Sequence, residues 1–238
     1  MEAISKKLFL EGWIPAPDES DQEFIDRIEK TKVRLLNPRA IKDVAFDLSV
    51  PPLLIFRSKE KLPFWNGGMT WIVSFEDGAR IPLVQLPPKP RRYTFSTEKE
   101  IIDHEKIHAL RVAFKEPVFE EIVAYRTSPS RLRQFLGPLF TKNTEAVLFF
   151  LSMPIAIFLE LPWLIPLFTA LLFVRLCRRQ FLFSRALHSI KTKYHRSEEV
   201  IVFLSDQEIK RAAKGDLSFF DNDSIRMAQI RTFFGVDS

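Results

Sequence analysis

The feature that most constrains the fold of this chain is an apolar run of 29 residues, Ala146–Val174, with a single charged residue, Glu160, near its middle. A helix that crosses a membrane needs about 20 apolar residues, so the run is too long for one comfortable span. It is also too short for two, because the 14 residues on each side of Glu160 make only about 21 Å of helix. Three prolines interrupt helical hydrogen bonding within the run and argue against one straight helix: Pro154, Pro162 and Pro166.

Three arrangements of this run are compatible with its length. We favour a helical hairpin, contained in residues 143–176, that dips into the bilayer and turns at Leu159-Glu160-Leu161-Pro162. A single kinked and tilted span is the second arrangement. The third, a buried hairpin within a soluble core, is disfavoured because the run is longer than most core helices. The sequence therefore predicts membrane lipid as a partner.

The composition of the whole chain is that of a folded protein. Of its 238 residues, 46% are hydrophobic and 27% are charged. The hydrophobic fraction is enough for a packed core and excludes a wholly disordered chain. A single cysteine, Cys177, excludes a disulfide scaffold or a cysteine-rich zinc ribbon, and it fits a reducing compartment. No apolar run of signal-peptide length follows the first residues, so we expect no cleaved export signal.

Before the apolar run, the residue pattern predicts a helix followed by a small antiparallel sheet. An amphipathic helix is expected at 20–34. Strands are expected at four β-rich stretches, namely 44–50, 53–56, 69–75 and 79–84. The last two are separated by Asp77-Gly78, which is a strong hairpin signal. Pro82 cannot donate a ladder hydrogen bond, so the last strand is predicted to lie at the sheet edge or to end early.

After the apolar run, the sequence predicts a basic juxtamembrane segment and a small α/β region over 177–238. Seven Lys and Arg residues and no acid lie within 175–196. This position, directly after an apolar segment, favours contact with anionic headgroups, and no aromatic stacking platform is interleaved with the basic residues. We therefore expect no nucleic-acid partner. A strand at Val200–Leu204, an N-cap at Ser205 and a last helix near 224–233 complete the region.

His104-Glu105-Lys106-Ile107-His108 is an HExxH sequence. It lies in a helix predicted over about 98–114, in which Thr97 and Glu100 have the spacing of a capping box. Histidines at i and i+4 lie one turn apart on the same helix face, so both imidazoles can bind one metal ion. Glu105 would lie beside that metal, where it can take a proton from water as the water attacks a carbonyl.

A catalytic zinc site needs a third protein ligand. The other two histidines, His188 and His195, lie beyond the apolar run in the basic stretch. A second helix is predicted over 117–125. If Lys115-Glu116 turn the chain back, Glu121 in that helix returns to the level of the histidines. Glu121 is therefore the better candidate for the third ligand.

The stretch from His104 to Arg126 resembles the gluzincin class of zinc metallopeptidases, in which HExxH lies on one helix and a glutamate ligand on the next. In that class the ligand often begins a Glu-x-x-Ala-Asp or Glu-x-x-x-Asp pattern, which Glu121-Ile122-Val123-Ala124-Tyr125 matches at the glutamate and the alanine. The resemblance implies that zinc is bound by His104, His108 and Glu121, with Glu105 as the general base. It also implies that the strand at 69–75 pairs with an extended substrate backbone.

Two residues depart from the pattern of that class. Lys106 stands at a position that is usually uncharged, and Tyr125 replaces an acid that would orient a ligand histidine. Tyr125 could instead hydrogen-bond a ligand or a developing oxyanion, or it could serve only in packing. In this register Glu120, turned about 100° from Glu121, is not a ligand. Arg111 is expected either to pair with Glu120 and brace the two helices or to be solvated.

Together these features predict an α+β fold with a zincin-like domain at 1–142, a membrane-embedded helical hairpin at 143–176 and a C-terminal region at 177–238. The predicted function is that of a membrane-associated zinc metallopeptidase with a peptide or protein substrate. The alternative is a membrane-anchored binding or scaffold protein that keeps the zincin-like helices without catalysis. Basic residues flank both ends of the apolar run and favour the cytoplasmic face: Arg131, Arg133, Lys142, Arg175, Arg178 and Arg179. We therefore expect the metal-site domain on the cytoplasmic side of a membrane.

Overall fold

The computed structural model describes residues 2–35, 41–43, 48–51, 53–63, 66–89, 97–114, 116–141 and 143–235. Within these ranges the chain has a mixed α+β fold, as the residue patterns predict. Three predicted features lie outside the described residues: positions 44–47 of the first strand, Lys115 in the turn before the glutamate helix, and Lys142 beside the apolar run.

The elements follow one another as two helices, a group of strands and a long series of helices. The helices are α1 (Glu2–Leu10), α2 (Asp21–Arg34), α3 (Glu98–Leu110), α4 (Pro117–Tyr125), α5 (Arg131–Leu136), α6 (Asn143–Phe158), α7 (Leu164–Lys191), α8 (Ser197–Val200), α9 (Asp206–Ala212) and α10 (Ile225–Phe234). The strands, which lie between α2 and α3, are β1 (Ile41–Asp43), β2 (Leu48–Val50), β3 (Leu54–Arg57), β4 (Met69–Ser74) and β5 (Arg80–Leu86). Short 3₁₀ helices lie at Gly137–Leu139, Ile201–Phe203 and Ser218–Asp221.

Polar side chains at their N-caps start several of these helices. Ser20, Thr97 and Ser205 each accept a hydrogen bond from the backbone N–H three residues on, and the glutamate at that position binds back to the cap residue. These capping boxes confirm the starts predicted for α2, α3 and α9. Ser224 caps α10 in the same way through its side chain, which confirms the last predicted helix.

Within the described residues, the main sheet has three strands in the order β3-β5-β4. β4 and β5 form the predicted antiparallel hairpin, and Gly78 in its turn adopts φ +90°. β3 runs parallel to β5, so the prediction of an antiparallel sheet is wrong for this pair. The reason is that β5 lies between β3 and β4, so the two strands that are consecutive in sequence are not neighbours in the sheet. Gln85 on β5 donates hydrogen bonds to the carbonyls of Ser58 and Glu60, which follow β3.

Pro82 lies in the central strand β5, so the prediction that this strand lies at the sheet edge is wrong. Its neighbour in β4 is Ile72, and the pairing of β5 with β3 begins one residue later, where Leu83 lies opposite Leu54. The missing N–H of Pro82 therefore removes no hydrogen bond from the parallel ladder. The proline is tolerated because it precedes the stretch in which both sides of β5 are paired.

The largest cluster of buried apolar side chains joins α3 and α4 to the C-terminal helices. Ile107 on α3, Phe119 on α4 and Phe183 on α7 are fully buried within it. Residues 200–204 are buried in the same cluster, but they form the end of α8 and a 3₁₀ helix, so the strand predicted there is wrong. Periodicity cannot separate a short, fully buried apolar run in a strand from one in a helix.

The apolar run forms most of α6 and the first part of α7. α6 ends at Phe158, and the chain turns at Glu160, which lies within the predicted turn. Phe149 on α6 stacks against Phe168 on α7, with ring centroids 6.0 Å apart. α7 then continues beyond the run to Lys191. Among the helices in the described part of the chain, none is both long enough and apolar enough to cross a membrane.

Candidate metal centre

Two consecutive helices, α3 and α4, bring the predicted ligand residues together. His104 and His108 lie one turn apart on α3, and Glu121 lies on α4. α3 ends at Leu110 and a turn follows at 111–113, so the regular helix is shorter than predicted. α4 begins at Pro117, where the missing proline N–H costs no helical hydrogen bond, and it has the predicted bounds.

The three candidate ligand atoms converge on one point. The Nε2 atoms of His104 and His108 are 3.2 Å apart, Oε2 of Glu121 lies 3.6 Å from Nε2 of His104, and Oε1 of Glu121 lies 3.6 Å from Nε2 of His108. Around a tetrahedral zinc ion with bonds of about 2.0–2.2 Å, the ligand atoms are about 3.3–3.6 Å from one another. This group could hold a metal ion.

Residues of α4 hydrogen-bond the rings of both histidines, and for His108 the bond is at Nδ1, the edge of the ring away from this point. Nδ1 of His108 lies 2.7 Å from Oε1 of Glu120. The ring of His104 hydrogen-bonds the backbone of Ala124. A hydrogen bond at Nδ1 selects the tautomer whose Nε2 lone pair can bind a metal. Both orienting groups belong to α4, so one helix supplies the third ligand and also aims the other two.

Glu120 is a site residue whose position could not be read from the sequence. Glu121 faces the two Nε2 atoms, whereas Glu120 faces the opposite edge of His108. The rotation of about 100° between neighbouring helical residues allows this division. The sequence feature that could have predicted this role is the pair of adjacent acids, Glu120 and Glu121. Two adjacent carboxylates on one helix can reach both edges of an imidazole on a facing helix.

Arg111 is directed at the C-terminal region. It is 1% exposed, so the expectation of a solvated side chain is wrong. Its Nη1 donates hydrogen bonds to the carbonyl oxygens of Val202 and Leu204, at 2.6 and 3.1 Å. Those carbonyls belong to the run that was predicted to be a strand, and Arg111 replaces the hydrogen bonds that a neighbouring strand would have made. Arg111 thereby ties the end of the HExxH helix to the C-terminal helices.

The carboxylate of Glu105 is held between α3 and β4. The hydroxyl of Thr70 donates a hydrogen bond to Oε2 of Glu105 at 2.6 Å. Gly68 lies on its other side, where an added Cβ would be 3.3 Å from Oε1 of Glu105 and 2.7 Å from Cγ2 of Ile101. A side chain at position 68 would therefore crowd both residues. Thr70 on β4 and Gly68, just before that strand, thus fix the orientation of the candidate general base.

Burial and charge strongly perturb the titrating groups of the cluster. Burial raises the pKa of Glu121 to about 7 and also raises the pKa of Glu105. Burial lowers the pKa of His104 well below its usual range. Burial would lower the pKa of His108 too, but the carboxylates of Glu121 and Glu120 outweigh it and raise this pKa to about 10. A divalent cation at Nε2 of His108 would displace the proton held there.

Tyr125 packs against the cluster. Its ring centroid lies 4.5 Å from that of His104, at an interplanar angle of 64°. Burial raises the pKa of Tyr125 to about 12, so the phenol keeps its proton and can donate a hydrogen bond. Gly137 makes room for this ring, because an added Cβ there would lie 2.3 Å from two ring carbons. The packing role is therefore evident, and a role for the hydroxyl stays a prediction.

The C-terminal region positions the start of α4. The carboxylate of Asp206 accepts hydrogen bonds from the backbone N–H groups of Val118 and Phe119, at 3.0 and 3.1 Å. In return, Glu116 accepts a hydrogen bond from the N–H of Asp206 at 2.7 Å, at the start of α9. Asp206 at the start of α9 therefore caps the first turn of α4, and Glu116 just before α4 caps the first turn of α9.

The other residues considered from the sequence lie away from the cluster. His188 is exposed on α7 and His195 is exposed beyond its end, and neither belongs to the three-residue group identified in the described ranges. Lys106 is buried, and its ammonium group lies 2.9 Å from the carboxylate of Asp103 on the same helix. Its charge is therefore neutralised locally.

Comparisons with known proteins give no independent assignment. No protein-family model matches the chain, and no curated protein or solved structure was found to match it. The resemblance of residues 104–126 to gluzincins therefore stays a prediction from the motif. The function has to be inferred from the geometry of the cluster.

Proposed function

We propose that this protein is a membrane-associated zinc metallopeptidase that hydrolyses peptide bonds at the cluster formed by α3 and α4. The supporting observation is that the Nε2 atoms of His104 and His108 and the carboxylate of Glu121 come within 3.2–3.6 Å of one another, as the ligands of one small metal ion do. Three protein ligands leave one position of tetrahedral zinc for water or substrate, which is the arrangement of catalytic rather than structural zinc sites.

The chemistry divides among the residues of the cluster. His104, His108 and Glu121 would hold the zinc ion, which when bound supplies a Lewis acid that makes water more acidic and polarises a carbonyl. Glu105 accepts the proton of the attacking water and delivers it to the leaving amine. The raised pKa of Glu105 suits both steps of this transfer. The protonated hydroxyl of Tyr125 donates a hydrogen bond to the oxygen on which negative charge develops.

The outer strand β4 offers a binding edge for an extended peptide. Among the described strands, β5 alone pairs with it, on one side, and the side chains of Trp71, Ile72 and Val73 are exposed. Thr70 on the same strand holds Glu105. A peptide that adds to β4 through main-chain hydrogen bonds would therefore pass beside the general base.

Exposed apolar side chains support association with a membrane. Ile157, Phe158 and Val174 are 66%, 86% and 65% exposed, and they belong to a continuous apolar stretch of α6 and α7. Soluble monomers rarely expose large apolar patches without a binding role. The cytoplasmic side stays a prediction from the basic residues that flank this stretch.

Elemental analysis of the purified protein tests the metal centre. We expect about one zinc ion per chain in the wild type and loss of zinc in His104→Ala, His108→Ala and Glu121→Ala. A wild-type protein that binds no zinc would overturn the proposal.

Hydrolysis of fluorescently labelled casein tests the mechanism. Glu105→Gln should retain zinc and fold but lose hydrolysis, because glutamine keeps the shape of the side chain and removes the base. Wild-type turnover in this variant would contradict the role of Glu105. Zinc binding with no hydrolysis in the wild type would favour the non-catalytic binding protein instead.

A further inference from the structure

An apolar surface formed by α6 and α7 is not covered by other described residues. Its most exposed large side chains lie near the turn between the helices and along both of them: Leu148, Ile157, Phe158, Trp163, Leu171 and Val174. The two helices also enclose a groove of about 440 Å³ whose lining is almost wholly apolar and includes Leu151, Ile155 and Leu167. A surface of this kind requires an apolar partner.

The exposed apolar part of each helix matches the depth of one membrane leaflet. In α7 it extends from Leu164 to Val174, a rise of about 15 Å at 1.5 Å per residue. In α6 it extends from Val147 to Phe158, a rise of about 17 Å. The hydrocarbon core of a bilayer is about 30 Å thick. An inserted helix pair would therefore reach the middle of the bilayer, with the turn at Glu160 deepest.

The exposed face of α7 becomes basic where such an insertion would end. Val174, Arg178, Phe181 and Arg185 follow one another at intervals of three or four residues, so they lie on one face, and all four are exposed. The guanidinium of Arg185 lies 5.8 Å from the centroid of the Phe181 ring. The sequence contains no acid in 161–197. Basic and aromatic side chains at this depth fit the headgroup layer of an anionic membrane.

Helix α5 lies level with this change from apolar to basic. The ring of Phe135 lies 6.2 Å from that of Phe173 on α7, and Gln180 donates hydrogen bonds to the carbonyls of Gln134 and Phe135. Leu132 on α5 is 66% exposed. α5 therefore adds its own apolar side chains to the surface at the level where α7 would leave the hydrocarbon.

Helix α5 and the residue that follows it also contact the helices of the candidate metal centre. Gly137, which follows α5, lies directly against the ring of Tyr125. Arg133 on α5 lies 3.4 Å from the carboxylate of Glu100 on α3. The apolar surface and the metal cluster are thus separated by a single short helix.

We infer that α6 and α7 insert into one leaflet of an anionic phospholipid bilayer, with α5 at headgroup level, so that the metal centre acts on polypeptide segments held at the membrane surface. The membrane surface is argued from α5, α6 and α7 alone. The substrate class rests on the proposed peptidase function.

Glu160 is the residue that opposes this insertion. A charged carboxylate near the middle of a bilayer is unfavourable unless water or a polar partner reaches it. Glu160→Gln removes the charge and should bind vesicles severalfold more tightly than the wild type. Weaker binding by this variant would contradict a buried turn.

Fluorescence of Trp163, which is 58% exposed beside the turn, measures the depth of insertion. The full-length protein is mixed with vesicles of phosphatidylcholine and phosphatidylglycerol that carry bromine at defined positions along the acyl chains. The Trp163 signal is the difference between the wild type and Trp163→Phe. We expect the strongest quenching from bromine deep in the chains. Strongest quenching near the headgroups, or self-association without vesicle binding, would overturn single-leaflet insertion.

A charge-matched pair of variants tests the basic face of α7. Arg178→Gln combined with Arg185→Gln should weaken binding to phosphatidylglycerol vesicles, by roughly fivefold for each arginine. Lys210→Gln combined with Lys214→Gln makes the same change in net charge at exposed positions on and after α9 and should have little effect. Equal losses in the two double variants would overturn the assignment of this face to the headgroups.

A pool of random-sequence peptides tests the substrate class. The pool is offered to the zinc-loaded protein on vesicles, either anchored by a lipid chain or free in solution. We expect cleavage to be at least about tenfold faster for the anchored pool, through its higher effective concentration, and to be absent in Glu105→Gln. Equal cleavage of both pools would overturn the substrate class. Cleavage of neither pool would contradict the proposed function. Insertion into the membrane is tested independently by the quenching of Trp163 fluorescence.

Discussion

His108 has a carboxylate at each edge of its ring, with Glu120 at Nδ1 and Glu121 beside Nε2. Because the hydrogen bond from Nδ1 aims the ring and increases its basicity, Glu120→Ala should lower zinc affinity by about 10–100-fold. Glu120→Gln keeps an acceptor but not the charge and should lose less. Competition with a chromophoric zinc chelator measures these affinities.

Glu98 supplies the control for this experiment. It also lies on α3, but its carboxylate pairs with Arg57 at the surface, and Glu98→Ala should bind zinc as the wild type does. Glu121→Ala should lose the metal altogether. If Glu120→Ala bound zinc with wild-type affinity, the hydrogen bond to His108 would have no role in metal binding.

If the proposed function is right, Thr70 should act on catalysis rather than on metal binding, because its hydroxyl contacts Glu105 and not one of the three proposed metal ligands. Thr70→Val keeps the shape of the side chain and removes one hydrogen bond, which is worth about 1–2 kcal/mol, or roughly tenfold in kcat. Thr70→Ser should restore most of the activity. Casein hydrolysis and zinc content are measured on the same samples, and a loss of zinc in Thr70→Val would refute this division of roles.

The predicted residues of the site depend on local spacing, and those that could not be predicted depend on long-range packing. The spacing of His104, His108 and Glu121 follows from two helices and a short turn, and all three ligand atoms converge. Thr70 reaches Glu105 from a strand 35 residues earlier in the chain. No periodicity in the sequence connects such a pair, because the contact exists only once β4 lies against α3.

At the scale of elements, the correct predictions came from motifs whose backbone hydrogen bonds are made by residues only a few positions away in the sequence. The capping boxes at Thr97 and Ser205 placed two helix starts, and Asp77-Gly78 placed the hairpin. The predictions for 200–204 and for the edge position of Pro82 were wrong. In both cases the backbone is paired by a distant element. The side chain of Arg111 donates to the carbonyl of Val202, and the pairing of β3 with β5 begins one residue after Pro82.

The turn after α6 holds Glu160 at φ +57°, a conformation that favours glycine. The N–H of Leu161 donates to the carbonyl of Ala156 and that of Glu160 to the carbonyl of Ile157, which together form a Schellman motif. Glu160→Gly should therefore stabilise the protein by about 1 kcal/mol. Glu160→Ala, which removes the carboxylate but keeps a Cβ, should not. Chemical unfolding in mild detergent measures the free energy of unfolding of both variants. Equal increases in the two variants would show that the loss of charge, and not the backbone conformation, causes the stabilisation.

At the scale of the whole molecule, α7 connects the apolar surface to the main core. Its first part exposes Leu171 and Val174, whereas Phe183, Ala186 and Ile190 in its second part are fully buried. The buried part packs in the cluster that also contains α4. The surface proposed to enter the membrane and the helix that carries Glu121 are therefore attached to one core.

Asp206 links the C-terminal region to the helix that carries two residues of the candidate metal centre. Its carboxylate caps Val118 and Phe119, so the two glutamates of the site lie within the next turn of the helix that it holds. Asp206→Ala removes two charge-assisted hydrogen bonds and should lower the free energy of unfolding by about 2–3 kcal/mol. It should also weaken zinc binding, because α4 would lose its fixed start.

Asp223→Ala is the matched control for this last prediction. Asp223 is fully exposed, and its removal should change the free energy of unfolding by less than about 0.5 kcal/mol. Chemical unfolding is compared with zinc affinity measured by chelator competition under conditions in which both variants are folded. If Asp206→Ala lost stability but kept the zinc affinity of the wild type, Glu120 and Glu121 would be positioned by their contacts with α3 alone. Loss of both would show that the metal centre, although its ligands lie within 18 residues of sequence, depends on a helix cap supplied from the C-terminal region.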